Sequence, residues 1–132
     1  MKKNLVLYAD DDDADLAVFE EALRAHSHYD LKTFHNGLEL VTYLRLNRPN
    51  DDVCLIVLDI NMHVMNGIST LMTIKADPGL SEIPAVLFST ARNPMDLLIA
   101  SKLSTDILLK PSTQDEMECR IEELLGHISK TA

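Results

Sequence analysis

Short apolar runs alternate along the chain with segments whose apolar residues recur at helical spacing. We predict that the runs are β-strands, located at Leu5–Ala9, Leu31–His35, Val53–Leu58, Ala85–Ser89 and Ile107–Leu109. The first, third and fourth runs are apolar almost throughout, as strands covered on both faces of a sheet must be. The second run, "LKTFH", alternates apolar and polar residues, which indicates a strand at an edge of the sheet.

The intervening segments predict amphipathic helices. Strand and helix units repeated in this way imply a parallel sheet with helices on both faces, and hence an α/β protein. Before the third helix, Asn66 and Gly67 are interpreted as a turn in which the glycine supplies an unusual backbone conformation. The helical faces that we expect to be buried are Leu16, Phe19 and Leu23; Leu40, Val41 and Leu44; Ile68, Leu71, Met72 and Lys75; and Met117, Ile121, Leu124, Leu125 and Ile128.

The composition fits one globular domain. The chain has 132 residues, of which 46% are hydrophobic and 25% charged, so it is long enough to bury a core as a single unit. Its formal net charge of −9 argues against nonspecific binding to nucleic acid and against attachment to an anionic membrane surface. The longest apolar runs hold about six residues, far short of the roughly 20 that span a bilayer. We expect a cytoplasmic protein whose cysteines, Cys54 and Cys119, have no metal-binding or redox spacing.

The candidate chemistry lies directly after the predicted strands. In a doubly wound parallel sheet, ligands bind beyond the carboxyl ends of the strands, so the side chains there should converge on one mouth. These residues are Asp10 and Asp11 after the first strand, Asp59 after the third, Ser89 and Thr90 at the end of the fourth, and Lys110 after the fifth.

Clustered carboxylates suit Mg²⁺, a hard cation that takes oxygen ligands and keeps several waters. A carboxylate beside such an ion can act as a nucleophile and form an aspartyl phosphate. A lysine and a hydroxyl would then bind the phosphoryl oxygens, because phosphoryl transfer depends mainly on positioning and electrostatics. The alternative for the run of aspartates in "LYADDDDAD" is a solvated acidic turn. Asp12, Asp13 and Asp15 are not predicted as ligands; Asp12 or Asp13 is expected to cap the first helix and complement its dipole.

Four motifs resemble, in order, those of the receiver domain of bacterial two-component response regulators: "LYADDDDADLAVFEEAL", "IVLDINMHVMNGIST", "IPAVLFSTARNP" and "LLKPS". The resemblance covers residues 5 to about 128. It implies a flavodoxin-like (βα)5 three-layer sandwich with a five-stranded parallel sheet of order 2-1-3-4-5. It also implies that residues 1–132 form a single stand-alone receiver domain with no effector domain.

The resemblance implies a role for each matching residue. Asp59 matches the phosphoacceptor, and Asp10 and Asp11 match the acidic pair that binds Mg²⁺, or Mn²⁺ in its place, together with Asp59 and the backbone carbonyl of Asn61. Ser89 matches the switch hydroxyl, next to a small Thr90, and Lys110 matches the lysine that contacts the phosphoryl group. Ile107 and Pro111 match positions that couple the site to the output surface, and a cis peptide bond commonly precedes this proline in the family.

Two departures from the family pattern stand out. His63 occupies a position that is usually proline; we favour a loop substitution over the alternative that the histidine titrates and modulates phosphoryl lifetime. Ile107 replaces the usual tyrosine or phenylalanine, whose ring position is coupled to the switch hydroxyl. The loop before it, "KLSTD", is about one residue short by comparison with the family and lacks the usual glycine. The phosphorylation chemistry is therefore expected to be intact, while the route to the output surface differs.

The resulting prediction is a phosphoacceptor protein in a phosphorelay, not an enzyme. A histidine kinase or phosphotransfer protein donates the phosphoryl group, and the face formed by the fourth helix, fifth strand and fifth helix then binds an unknown downstream protein. A monomer or weak dimer is expected. The alternatives are a receiver-like binding module regulated without phosphorylation and a phosphate sink. A haloacid-dehalogenase phosphatase is disfavoured because Asn61 stands where that family has a second aspartate, and a flavodoxin because no phosphate-binding loop follows the first strand.

Overall fold

Strands and helices alternate along the chain in the computed structural model, which describes residues 3–91 and 93–130. Two predicted strands have the observed bounds, and the other three differ by one residue at one or both ends. The strands are β1 (Leu5–Ala9), β2 (Asp30–Phe34), β3 (Val53–Asp59), β4 (Ala85–Ser89) and β5 (Asp106–Leu109). The helices are α1 (Asp13–Leu23), α2 (Gly37–Leu46), α3 (Gly67–Ala76), α4 (Pro94–Lys102) and α5 (Gln114–Lys130).

The strands form one parallel sheet of order β2-β1-β3-β4-β5. This is the predicted flavodoxin-like (βα)5 topology, and the alternating β2 lies at an edge as expected. Because the strands are parallel, the carboxyl ends of β1, β3, β4 and β5 all meet at the same edge of the sheet. Within the described residues, no helix is both long and apolar enough to cross a membrane.

Two apolar cores lie on opposite faces of the sheet, because successive strand residues point to opposite sides. Leu7 and Leu58 face the core under α2 and α3, which also contains Ala100 of α4. Tyr8 and Val57 face the core under α1 and α5. This two-sided burial explains why the central strands are apolar at almost every position.

The predicted helical faces are confirmed in α1, α2 and α5, and the predicted face of α3 is wrong in part. Met72 of α3 is exposed, whereas Thr70 and Ile74 are buried with Leu71. Thr70 can be buried because its hydroxyl donates a hydrogen bond to the carbonyl oxygen of Asn66 at 2.7 Å. The sequence pattern did not count this threonine as a core residue, so the predicted face was correct at Leu71 and wrong at Met72.

Side-chain caps fix where the helices begin at the carboxyl edge of the sheet. Asp12 Oδ1 accepts hydrogen bonds from the backbone N–H groups of Ala14 at 2.9 Å and Asp15 at 3.3 Å, so the predicted cap of α1 is Asp12. Asn36 and Asn66 cap α2 and α3 in the same way. Each cap satisfies N–H groups that have no partner inside the helix.

Gly67 is required for close packing rather than for an unusual turn. It begins α3 and does not have a positive φ, so the predicted backbone conformation is wrong. A Cβ atom at this position would lie 2.5 Å from the carbonyl oxygen of Asp59 and 2.9 Å from the Cα atom of Ile60. The absent side chain lets the start of α3 pack directly against the end of β3.

The cis peptide bond implied before Pro111 is also wrong. Among the described residues, the cis peptide bond is Arg48–Pro49. Cis and trans forms of an X–Pro bond differ by only about 1 kcal/mol, so local sequence does not decide between them.

Replacing Gly67 by alanine should destabilise the fold by about 1–3 kcal/mol, because the new methyl group would overlap backbone atoms that cannot move independently. The measurement is the free energy of unfolding in urea, followed by circular dichroism. Gly126→Ala is the matched control, since a Cβ there meets nothing within 4 Å and alanine is the better helix former. Equal effects of the two substitutions would contradict the packing role of Gly67.

Candidate functional site

Three carboxylates meet at the carboxyl edge of the sheet. Asp10 follows β1 and Asp59 ends β3, and these strands are paired with Ala9 beside Leu58. One carboxylate oxygen from each of Asp10, Asp11 and Asp59 lies within 4.8 Å of the others. Asp10 and Asp59 are buried, whereas Asp11 is partly exposed to solvent. Oxygen ligands at this spacing fit a hard divalent cation that keeps part of its water shell.

Lys110 supplies positive charge beside these carboxylates. Its Nζ atom lies 2.7 Å from Asp10 Oδ2, 2.8 Å from Asp15 Oδ2 and 3.5 Å from Asp59 Oδ1, and its side chain is only 8% exposed. Burial alone would lower the pKa of Lys110, but the hydrogen bonds to Asp10 and Asp15 and the charges of Asp10 and Asp59 raise it overall. The ammonium therefore stays protonated at neutral pH.

A buried tyrosine holds the Asp10 carboxylate in place. The hydroxyl of Tyr8 donates a hydrogen bond to Asp10 Oδ2 at 2.6 Å, and the backbone N–H of Asp12 donates to Oδ1 at 3.0 Å. The Tyr8 ring packs against Phe19 and Phe88, with centroids 4.3 Å and 5.9 Å away. Burial and the charge of Asp10 raise the pKa of Tyr8, so the hydroxyl remains a donor.

Asp59 combines burial with a neighbouring like charge. Burial and then the charge of Asp10 raise its pKa to about 7, against the opposing effects of Lys110 and the backbone N–H of Asn61. In the protein without bound cations, this carboxyl group is therefore protonated in part near neutral pH. A group with this environment at the end of a central strand is typical of a functional site rather than of a turn.

The hydroxyl of Ser89 is bound to its own loop. Ser89 is buried, and its Oγ atom donates to the carbonyl oxygen of Ala91 at 2.5 Å and accepts from the N–H of Ala91 at 3.2 Å. Thr90 between them is exposed. The structure thus places Ser89 at the predicted edge of the sheet but commits its hydroxyl to the β4–α4 loop rather than to Asp59.

The sequence profile of the response regulator receiver domain matches residues 6–122, which extend from the second residue of β1 to about the middle of α5. The chain belongs to this family. Receiver domains are the phosphoacceptor signalling modules of two-component systems, so the family predicted from the four motifs is confirmed.

Individual relatives agree with this assignment. PrrA, a transcriptional regulatory protein of Mycobacterium tuberculosis, is 34% identical over 129 residues, which are 96% of this chain and 52% of PrrA. The chain therefore spans about half the length of this relative. The crystal structure of the phosphorylated cyanobacterial phytochrome response regulator RcpA superposes with a TM-score of 0.85 at 26% identity, covering 98% of this chain and 96% of RcpA. The Mn²⁺-bound response regulator Rcp1 gives a TM-score of 0.79 at 24% identity, covering 91% and 90%.

The loop after Asp59 departs from the family pattern at His63, and this residue contacts one of the three carboxylates of the site. The backbone N–H of His63 donates a hydrogen bond to Asp11 Oδ2 at 3.2 Å, and its ring Nε2 lies 3.7 Å from the same oxygen. A proline has no N–H to make the first contact. Next to it, Val64 has a φ of 68°, and the N–H of Met65 donates to the carbonyl oxygen of His63 at 2.7 Å. A β-branched residue in this conformation is strained, which marks the loop as tightly constrained.

The predicted output residues lie beside the receiver site. Ile107 is buried against Ala100 and Leu103, and it lines an open groove of about 620 Å³ between α4 and β5. In the short preceding loop, Ser104 has a φ of 54°, the conformation for which the missing glycine is suited. The N–H of Lys110, just before Pro111, donates to the carbonyl oxygen of Ser89 at 2.7 Å, which joins the ends of β4 and β5.

Two site residues were missed in the sequence. Tyr8 looked like an ordinary strand residue, although a buried hydroxyl in a strand that leads into an aspartate needs a partner, and Asp10 is the nearest one. Asp15 was set aside with Asp12 and Asp13 as a helix-end acid. Its contact with Lys110 depends on how α1 lies against the end of β5, and no local pattern in the sequence encodes that placement.

Asp59→Asn should stabilise the cation-free protein, and the gain should grow as the pH rises from about 4 to about 7. At position 59 the folded protein binds more protons than the unfolded chain in this interval, because the pKa of Asp59 is raised above its unfolded value. Raising the pH therefore lowers the stability of the wild type relative to that of the variant. At about 1.4 kcal/mol per pKa unit, the gain is at most about 4 kcal/mol near pH 8. Urea unfolding of both proteins in EDTA measures it, and a difference independent of pH would contradict the prediction.

Proposed function

We propose that this chain is a Mg²⁺-dependent phosphoacceptor and that Asp59 accepts the phosphoryl group from a histidine kinase or a histidine phosphotransfer protein. The observation that carries the proposal is the buried position of Asp59 between two other carboxylates and the Lys110 ammonium. In this proposal, residues 1–132 act as one receiver domain, and the protein is a signalling component rather than a turnover enzyme.

The residues present fit a divalent cation. Asp10, Asp11 and Asp59 would hold it through carboxylate oxygens, together with the backbone carbonyl of Asn61. The Mn²⁺-bound Rcp1 supports a divalent cation in a protein of this fold, and Mg²⁺ is proposed because a site made of oxygen ligands with part of its shell open suits it. When bound, the cation would offset the repulsion among these carboxylates and neutralise the phosphoryl oxygens.

In the transfer, a carboxylate oxygen of Asp59 attacks the phosphorus atom and the bond from phosphorus to the donor imidazole nitrogen breaks. The electron pair of that bond stays on the nitrogen, so the donor leaves as a histidine, and the new bond is an acyl phosphate. Lys110 needs little movement to take part, since its Nζ atom is already 3.5 Å from Asp59 Oδ1 and can donate to a phosphoryl oxygen. Because the site is buried, few water molecules solvate the attacking carboxylate. A carboxylate with less solvation is a more reactive nucleophile.

Phosphorylation would then switch the β4–α4 region. The Ser89 hydroxyl would exchange its bonds with Ala91 for a phosphoryl oxygen, and this exchange would reshape the loop that leads into α4. Lys110 would move at the same time, and its backbone bond to Ser89 ties the two strand ends together. The buried Ile107 side chain, which packs against α4, would transmit the shift by repacking rather than by the motion of an aromatic ring.

The face formed by α4, β5 and α5 is proposed as the output surface. Leu97 of α4, which lines the groove beside β5, and Leu109 of β5 expose large apolar side chains on it. The first turn of α5 adds the acidic residues Asp115 and Glu116. A protein segment with apolar residues flanked by basic ones complements this surface in both hydrophobicity and charge. The strongly negative net charge disfavours a second copy of the chain in that place.

Incubation with acetyl phosphate and Mg²⁺ should add one phosphoryl group to the protein, as measured by intact mass. The gain should be absent in Asp59→Asn and in the presence of EDTA, because the first removes the nucleophile and the second removes the cation. Asp13→Asn should be phosphorylated like the wild type, since Asp13 is an exposed residue outside the group of three carboxylates.

A gain of the same size in Asp59→Asn would place the acceptor elsewhere. If the wild type showed neither a mass gain nor binding of beryllofluoride, a phosphoryl analogue that bonds to a carboxylate oxygen, the phosphoacceptor function would be wrong. The binding module regulated without phosphorylation would then take its place.

A further inference from the structure

Asp15 contacts Lys110, and the proposed phosphoryl transfer does not require this contact. Its Oδ2 atom lies 2.8 Å from Lys110 Nζ, as close as the contact from Lys110 to Asp10 and shorter than the 3.5 Å to Asp59. Asp15 is outside the group of three carboxylates that meet within metal-binding distance. Asp15 therefore acts on the lysine and is not itself one of the predicted cation ligands.

The position of Asp15 is fixed by α1. The residue lies in the first turn of the helix, and its backbone N–H is bound by the capping Asp12. The neighbouring Leu16 and Phe19 are buried in the core under α1 and α5, which anchors this turn of the helix against the sheet. Lys110, in contrast, lies in the connecting segment after β5 and has a long, flexible side chain with a four-carbon stem. In this pair, Asp15 is the fixed partner and Lys110 is the one that can be moved.

The distances show how the ammonium is shared. An ammonium group has three protons to donate, and in this structure the two short contacts are to Asp10 and Asp15. The Lys110 side chain is almost fully shielded from water, so it cannot replace a lost carboxylate contact with a solvent contact at no free-energy cost. The third contact, to Asp59, is the longest at 3.5 Å, so a group on Asp59 that bonds closely to the ammonium must draw it against the attraction of Asp15.

We propose that Asp15 is a positioning residue that shares the Lys110 ammonium with Asp10 and Asp59 in the unphosphorylated receiver, so that a phosphoryl group on Asp59 competes with Asp15 for the lysine. The inference rests on the proposed phosphoacceptor function. Asp15 sets how tightly the site binds a phosphoryl group on Asp59, and it favours the unmodified state. A stronger Asp15–Lys110 pair means a less stable phosphorylated form.

The test is a titration of beryllofluoride, in the presence of Mg²⁺, into wild type, Asp15→Asn and Asp13→Asn, followed by the amide NMR shifts around Ser89. Asp15→Asn should bind roughly five-fold more tightly, the order expected for releasing one partly exposed ion pair. Asp13→Asn is the matched control, since Asp13 is also in the first turn of α1 but pairs with His35 Nε2 at 2.9 Å. Its affinity should stay within about two-fold of the wild type.

A second measurement separates release of Lys110 from simple loss of negative charge. In urea unfolding without Mg²⁺, Asp15→Asn and Lys110→Gln should be non-additive, with a coupling of at least about two-fold in the unfolding equilibrium constant. Tighter binding of beryllofluoride without this coupling would assign the effect to charge alone and would overturn the inference. A gain of affinity cannot be produced by a damaged fold, so partial destabilisation of the variant does not mimic the expected result.

Two other results of the beryllofluoride titration would lead to different conclusions. If wild type binds beryllofluoride and Asp15→Asn binds it equally or more weakly, Asp15 does not oppose the phosphorylated state and the inference is wrong. If wild type and all variants fail to bind it, the proposed phosphoacceptor function fails instead.

Discussion

The chemistry of the site depends on the electrostatic balance at the carboxyl edge of the sheet, where buried carboxylates face the buried Lys110 ammonium. Asp10 and Asp59 lie inside the protein with Lys110 between them and Asp15, and burial together with mutual repulsion raises the pKa of Asp59 to about 7. The surrounding fold maintains this arrangement. Parallel strands bring the strand ends together, the two cores hold the strands, and the Tyr8 hydroxyl fixes the orientation of Asp10. An arrangement with excess buried negative charge favours the binding of cations, and a receiver domain uses that property.

In the proposed switch, phosphorylation would exchange contacts that the structure shows around this cluster. Ser89 is bonded to Ala91 and not to Asp59, and Lys110 lies closer to Asp15 than to Asp59. The N–H of His63 occupies one oxygen of Asp11. Each of these contacts lies at the carboxyl edge of the sheet and outside the two apolar cores, so the proposed exchange would leave the cores intact. A switch of this kind needs two sets of contacts that are close in free energy.

General rules predicted the parallel α/β sheet and the centre of the site, whereas the strand order followed from the resemblance to receiver domains. Apolar periodicity locates the strands, and parallel strand ends must meet, so the convergence of acids and a lysine followed directly. The errors have physical causes. Thr70 is buried with a satisfied hydroxyl, and Gly67 is present for a close backbone approach rather than for its φ angle. The contacts of Tyr8 and Asp15 were missed because they depend on tertiary placement. The bond from Ser89 to Ala91 belongs to one conformational state, which a sequence pattern does not specify.

The carboxylate cluster is electrostatically unfavourable without a cation, and a divalent cation bound there should stabilise the fold. The most direct measurement is the free energy of unfolding of the wild type near pH 8 as the Mg²⁺ concentration is raised, with NaCl at matched ionic strength as the reference. If Mg²⁺ binds only the folded state, the free energy of unfolding should rise with the Mg²⁺ concentration. At concentrations above the dissociation constant, this rise should be linear in the logarithm of the concentration. An unfolding free energy that does not change with Mg²⁺ would contradict the account.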